Sequence, residues 1–116
     1  PGYGFAKLSR DRQEKLGKQI SWFVGESGVP FRCFVLIVDA EIGLKDSDHA
    51  TYALLADTGH RIVLVANKAD KGKQNDVAKN VLTLRTMFPE ATVVRYSAKT
   101  GEGRNELLPV LLEDRD

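Results

Sequence analysis

A single cysteine, Cys33, leaves no partner for an internal disulfide and no cysteine set for a zinc site. It lies within an apolar run, so a packed, reduced thiol is expected. Long hydrophobic stretches are also missing. No segment reaches the length of about 20 apolar residues that a bilayer-spanning helix needs, and no membrane contact is expected. The first residues show neither an apolar signal region nor an Arg-rich amphipathic leader. Excess charge of one sign is lacking too: 17 Lys and Arg stand against 16 Asp and Glu, a net charge of +1. That balance gives no global attraction to nucleic acid or anionic lipid, so DNA is not an expected partner and any RNA contact must be local.

What remains is an ordinary globular composition, 116 residues with 42% hydrophobic and 28% charged, enough for one modest core. Three short apolar runs, FRCFVLIV (31–38), IVLVA (62–66) and TVVRY (92–96), alternate with longer stretches of helical periodicity. Such alternation is the mark of βαβ units, and nearly uninterrupted apolar strands are those covered on both faces by crossover helices. A three-layer α/β/α fold is therefore predicted, with three parallel strands and about four helices.

The helices are legible from stripes and stops. After Ser9 as N-cap, Leu16, Ile20, Phe23 and Val24 make one apolar stripe, and Gly25 and Gly28 end it. Asp46 or Asp48 can cap a second helix carrying Ala50, Ala53 and Leu54, with Gly59 as its left-handed stop. Val77, Val81, Leu84 and Phe88 stripe a third, halted by Pro89. A fourth begins near Gly103 with Leu107, Leu108, Leu111 and Leu112, although Pro109 must remove a backbone bond or kink it. Trp22, Phe31, Phe34 and Phe88 are expected in the core. The strand at 31–38 is too apolar for a sheet edge, so another strand is expected beside it, from another chain or from a missing N-terminal half.

Two loops carry chemistry. Asn67-Lys68-Ala69-Asp70 follows the second strand directly, and Ser97-Ala98-Lys99-Thr100-Gly101 follows the third. Both lie at carboxyl ends of parallel strands, where open α/β sheets hold ligands. A carboxylate in the plane of a purine can accept from guanine N1–H and its N2 amine together, a pair that adenine does not offer. Asp70 is thus the candidate guanine reader. Asn67 can tie the loop, the stems of Lys68 and Lys99 can cover the two purine faces, and the Ala98 N–H can meet guanine O6. Each loop alone is a common solvated turn; their pairing at successive strand ends carries the reading.

These residues resemble the fourth and fifth motifs of the P-loop GTPases, and Pro1-Gly2 is similar to the end of their third motif, Asp-x-x-Gly. PGYGFA (1–6), VDAEIGLKDSD (38–48) and NKAD (67–70) together resemble the EngB (YihA/YsxC) family of ribosome-assembly GTPases, across essentially the whole chain. The resemblance implies the C-terminal half of a Ras-like domain, with 1–116 a partial G domain lacking the P-loop and first switch. It implies GTP or GDP binding through Asn67, Lys68, Asp70, Ser97, Ala98 and Lys99, and a γ-phosphate and switch contact at Gly2. Mg²⁺ is implied as well, with its ligands outside this chain. Tyr3 stands where the Ras branch has its water-positioning glutamine and takes no such role. No catalytic residue is assigned, and this chain alone is not expected to hydrolyse GTP.

The implied partners are the large ribosomal subunit precursor and its rRNA, the implied process ribosome assembly linked to cell division. The implied compartment is intracellular, whether cytoplasm, mitochondrial matrix or plastid. Lys68, Lys71, Lys73 and Lys79 with Lys7, Arg10 and Arg12 could touch RNA phosphates, though such charges more often form a solvated face. His49 and His60 have no partner at catalytic spacing. Two other readings stay open: a ribosome- or protein-binding adaptor without hydrolysis, and a flavodoxin-like protein whose two motifs coincide. Without its other half, the PGYG stretch is expected to be disordered or displaced.

Overall fold

The computed structural model describes residues 2–113, with side chains from residue 10 onward. The order is α1 (Gly2–Gly25), β1 (Phe34–Asp39), α2 (Asp46–Ala56), β2 (Ile62–Asn67), α3 (Gln74–Met87), β3 (Thr92–Arg95) and α4 (Arg104–Leu112). All strands are parallel, in the sheet order β1-β2-β3. The alternation of elements is the one the sequence predicts.

β2 is central because its sequence permits nothing else. Ile62 to Ala66 are all buried, and a strand apolar on both faces must be covered on both. On one face Val38, Leu64, Ala66 and Val93 pack against Val77, Val81, Leu84 and Phe88 of the α3 stripe, with Tyr52 of α2 beside them. Each such side chain contributes about 1.5–3 kcal/mol relative to exposure. α1 joins the same side further down, where Ile20 meets Leu55 and Ile62, with Leu16 and Val24 against them. The alternate residues Val63, Val65 and Val94 point to the opposite layer, on which α4 lies against β3.

Several expectations need correction. β1 starts at Phe34 rather than at residue 31, because Phe31 leaves the strand line and stacks on Phe23, Phe34 and His60, with ring centroids 4.6–5.1 Å apart. β1 is the outer strand of those described, on the side where a further strand from another chain or an N-terminal half is expected. Val35 and Ile37 are consequently exposed, at 44% and 61%. Trp22 is not core: it lies 58% exposed on α1, off the Leu16–Ile20–Val24 stripe.

Ser9 does not cap α1, whose backbone is helical from Gly2. Phe5, Ala6, Lys7 and Leu8 include no helix breaker, so the helix extends through Ser9. The expected disorder of the PGYG stretch is thus replaced by helix over the described residues; Pro1 lies outside them. Neither Asp46 nor Asp48 is the N-cap of α2. That position is Lys45, and Asp48 at N3 reaches back instead, its Oδ2 accepting from the Lys45 N–H at 3.0 Å.

Gly59 does adopt the left-handed stop, at φ 78°. α4 runs on through Pro109 to Leu112, with Leu107 and Leu111 half-buried while Leu108 and Leu112 are exposed. Cys33 is free and half-buried. No described helix is long and apolar enough to cross a membrane.

Candidate functional site

Parallel pairing puts the carboxyl ends of β1, β2 and β3 side by side, and all three continue into loops on that edge. Asp39 is in register with Asn67, and Ala66 with Arg95. The two motifs are therefore neighbours in space. The Tyr96 N–H donates to the Ala66 carbonyl at 2.8 Å, and the Ala69 N–H to the Tyr96 carbonyl at 3.0 Å, stitching the NKAD and SAK loops together.

The central contact is between side chains. Ser97, fully buried, donates its hydroxyl hydrogen to Asp70 Oδ1 at 2.7 Å, and the Thr100 N–H donates to Ser97 Oγ at 3.2 Å. That serine is short enough to sit beneath the carboxylate and fixes its plane without covering it. The Ser97 hydroxyl is the main reason that the Asp70 carboxyl lies below its ordinary value of 3.8; a smaller opposing push comes from burial, and the Lys99 and Lys71 charges add to the lowering. Asp70 is accordingly an anion throughout the neutral range. Ala98 and Lys99 are exposed beside it, and Asn67 is half-buried at the strand end.

Lys68 has φ 61°, the single positive value outside glycine among the described residues. Its Nζ lies 3.4 Å from Asp39 Oδ2. Asp39 in turn accepts the Glu41 and Ile42 N–H groups on Oδ1, at 2.9 and 3.1 Å. Burial pushes the Asp39 carboxyl up, but these two amides and Lys68 together outweigh it, so it too sits below the usual range.

Sequence reasoning missed Asp39, although its position at a strand's carboxyl end was the available signal. It also missed a brace under the site: Gln74 donates to the Ala69 carbonyl at 3.0 Å and accepts from Arg95, whose Nε lies 2.7 Å from Glu102. Gly2 opens α1, an element that packs on α2. His49 and His60 face aromatic rings, Phe88 and Phe31, rather than any catalytic partner.

Lys68 is paired, while Lys71, Lys73 and Lys79 are exposed around the start of α3, and Arg10 and Arg12 are exposed on α1. The Lys7 side chain lies outside the described residues.

A pH dependence follows. Both carboxyls are depressed in the fold, so their stabilisation is complete above the unfolded value and is lost as pH falls through the folded one. Thermal midpoints should hold from neutrality to about pH 5 and fall below it. In Ser97→Ala the Asp70 carboxyl should titrate nearer its ordinary value, read by carboxyl carbon NMR; an unchanged titration would remove the serine from this account.

No protein-family model matches the chain. Among curated proteins, the probable GTP-binding protein EngB of Natranaerobius thermophilus is 31% identical over 114 residues, covering 96% of this chain and 58% of that protein. The Bacillus subtilis EngB is 32% identical over 109 residues, covering 91% and 55% respectively. Over the matched residues, the chain is similar to the EngB family.

The chain spans little more than half the length of these EngB relatives. Its fold also matches part of a solved translation elongation factor, SelB from Methanococcus maripaludis. The TM-score is 0.61 for the apo form and 0.64 for the complex with the GTP analogue GppNHp, at 21% identity. These alignments cover 67% and 70% of this chain and 18% and 19% of SelB. At that identity the likeness is one of fold alone, and it agrees with the α/β/α architecture that the EngB resemblance implies.

Proposed function

We propose that the carboxyl edge of this sheet is the base-binding part of a guanine-nucleotide site. Asp70 reads guanine N1–H and the N2 amine, Asn67 ties the loop, Lys68 and Lys99 cover the base faces, and the Ala98 N–H meets O6. The observation that carries the reading is the Ser97–Asp70 hydrogen bond, which holds an ionised carboxylate at the carboxyl edge of the sheet. That geometry suits guanine rather than adenine.

The remainder of the EngB-type domain would supply the phosphate loop, so 1–116 acts as a partial G domain. In the whole protein Gly2 would sense the γ-phosphate as part of the second switch, GTP would be hydrolysed, and the nucleotide state would govern docking on the maturing large ribosomal subunit. The described residues include no group of three His, Cys, Asp or Glu side chains suited to a metal ion. The family implies a Mg²⁺ whose ligands would come from the remainder of the domain, and the guanine reading does not depend on it.

Titration with GDP, ADP and XDP, followed by amide NMR, tests the base reading. GDP should shift the resonances of 67–70 and 97–99 while ADP and XDP leave them in place. Equal responses to all three would overturn it.

A further inference from the structure

We infer that Asp39 is a positioning residue for the guanine-reading loop, setting the direction of Lys68. The inference rests on the guanine reading above and adds a residue to it. Its starting point is the backbone. A lysine at φ 61° is held against its own preference and persists only where its surroundings fix it. Asp39 is placed to do so.

One carboxylate serves two loops. Oδ1 accepts the amides of Glu41 and Ile42 and so belongs to the loop after β1. Oδ2 faces Lys68 Nζ in the loop after β2. The aspartate side chain is itself only 16% exposed, so it has little freedom to follow the lysine outward.

The platform beneath Asp39 is anchored to α3. Asn80 donates to the carbonyls of Ala40 and Glu41 at 2.8 and 3.2 Å, and the Ala40 N–H donates to the Asn67 carbonyl at 2.8 Å. Gly72, at φ 73°, lets the Glu41 side chain close over the second loop, since a Cβ there would stand 2.9 Å from Glu41 Cγ. Hydrogen bonds thus tie the first loop both to α3 and to the end of β2. Lys68 drawn toward Asp39 lays its methylene stem along the site, while its ammonium stays away from the carboxylate of Asp70.

Asp39→Asn is the informative variant. It keeps an oxygen for the two amides but presents no negative charge to Lys68. Amide exchange at Lys68–Asp70 should quicken while Glu41 and Ile42 stay as protected as before. Affinity for GDP, from the NMR titration, should weaken about 2- to 5-fold, the size of a partly exposed ion pair.

The thermal midpoint should change little, and Asp39→Glu should restore part of the affinity. GDP binding equal to that of the unaltered chain, or weakened only in step with a fallen midpoint, would overturn the assignment. A different result separates the two claims: if the unaltered chain shows no preference for GDP over ADP, the guanine reading itself fails, and the role of Asp39 fails with it.

Discussion

Gly103→Ala should destabilise the fold by about 2–5 kcal/mol, the sum of roughly 1–2 kcal/mol for a left-handed residue and about 1–3 for forced displacement of packed neighbours. Gly103 precedes α4 at φ 82°. A Cβ there would fall on the Arg95 carbonyl oxygen, well inside contact distance, and 3.2 Å from Tyr96 Cα. Those atoms are backbone of β3 and its exit, so no side chain can swing aside to make room.

The neighbouring Gly101 supplies the control. It has a similar φ of 84°, but a Cβ there would meet nothing within 4 Å. Gly101→Ala should therefore cost only the conformational part, about 1–2 kcal/mol. Urea unfolding of both variants separates the terms, and equal losses would refute the steric account. Because Ser97 N–H bonds the Glu102 carbonyl at 3.0 Å, Gly103→Ala should also disturb the serine beneath Asp70.

The second large effect concerns ligand choice. In Asp70→Asn, one of the two acceptors becomes an amide whose hydrogens oppose those of guanine. Two charge-assisted hydrogen bonds are weakened or lost, each worth about 1.5–3 kcal/mol. GDP affinity should fall roughly 100-fold or more, since each 1.4 kcal/mol is about tenfold. Xanthine carries an oxygen at position 2, which accepts from the new amide, so preference should turn toward XDP. Competition between GDP and XDP measures the reversal; a variant that keeps its GDP preference would show that Asp70 is not the base reader.

The reach of the sequence is clearest in its apolar runs. Val77, Val81, Leu84 and Phe88 are all buried as their spacing predicts, and IVLVA is the buried central strand. The strand-end loops could be paired from order alone, because parallel strands bring their carboxyl ends to one side. Trp22 was not legible, since a large aromatic beside a stripe reads as core until the neighbouring elements fix which arc is covered. Ser9 was misleading for a related reason: a residue that favours caps marks a helix start only where the preceding residues resist the helix, and Phe5–Leu8 do not. Asp39 was hidden because its role arises from two backbone amides and a lysine 29 positions onward. No local pattern encodes that meeting.

The edge that β1 forms among the described strands has a consequence for folding of this stretch. Parallel neighbours are joined only after a helix has crossed between them, so this sheet forms through slow, non-local steps. Meanwhile FVLIV, five apolar residues without proline or charge, is an open invitation to a like segment on another molecule. Refolding is thus a kinetic partition between a first-order path to the native sheet and a second-order path to intermolecular strands. The yield of soluble chain becomes a function of dilution, set by one strand and not by the overall stability of the core.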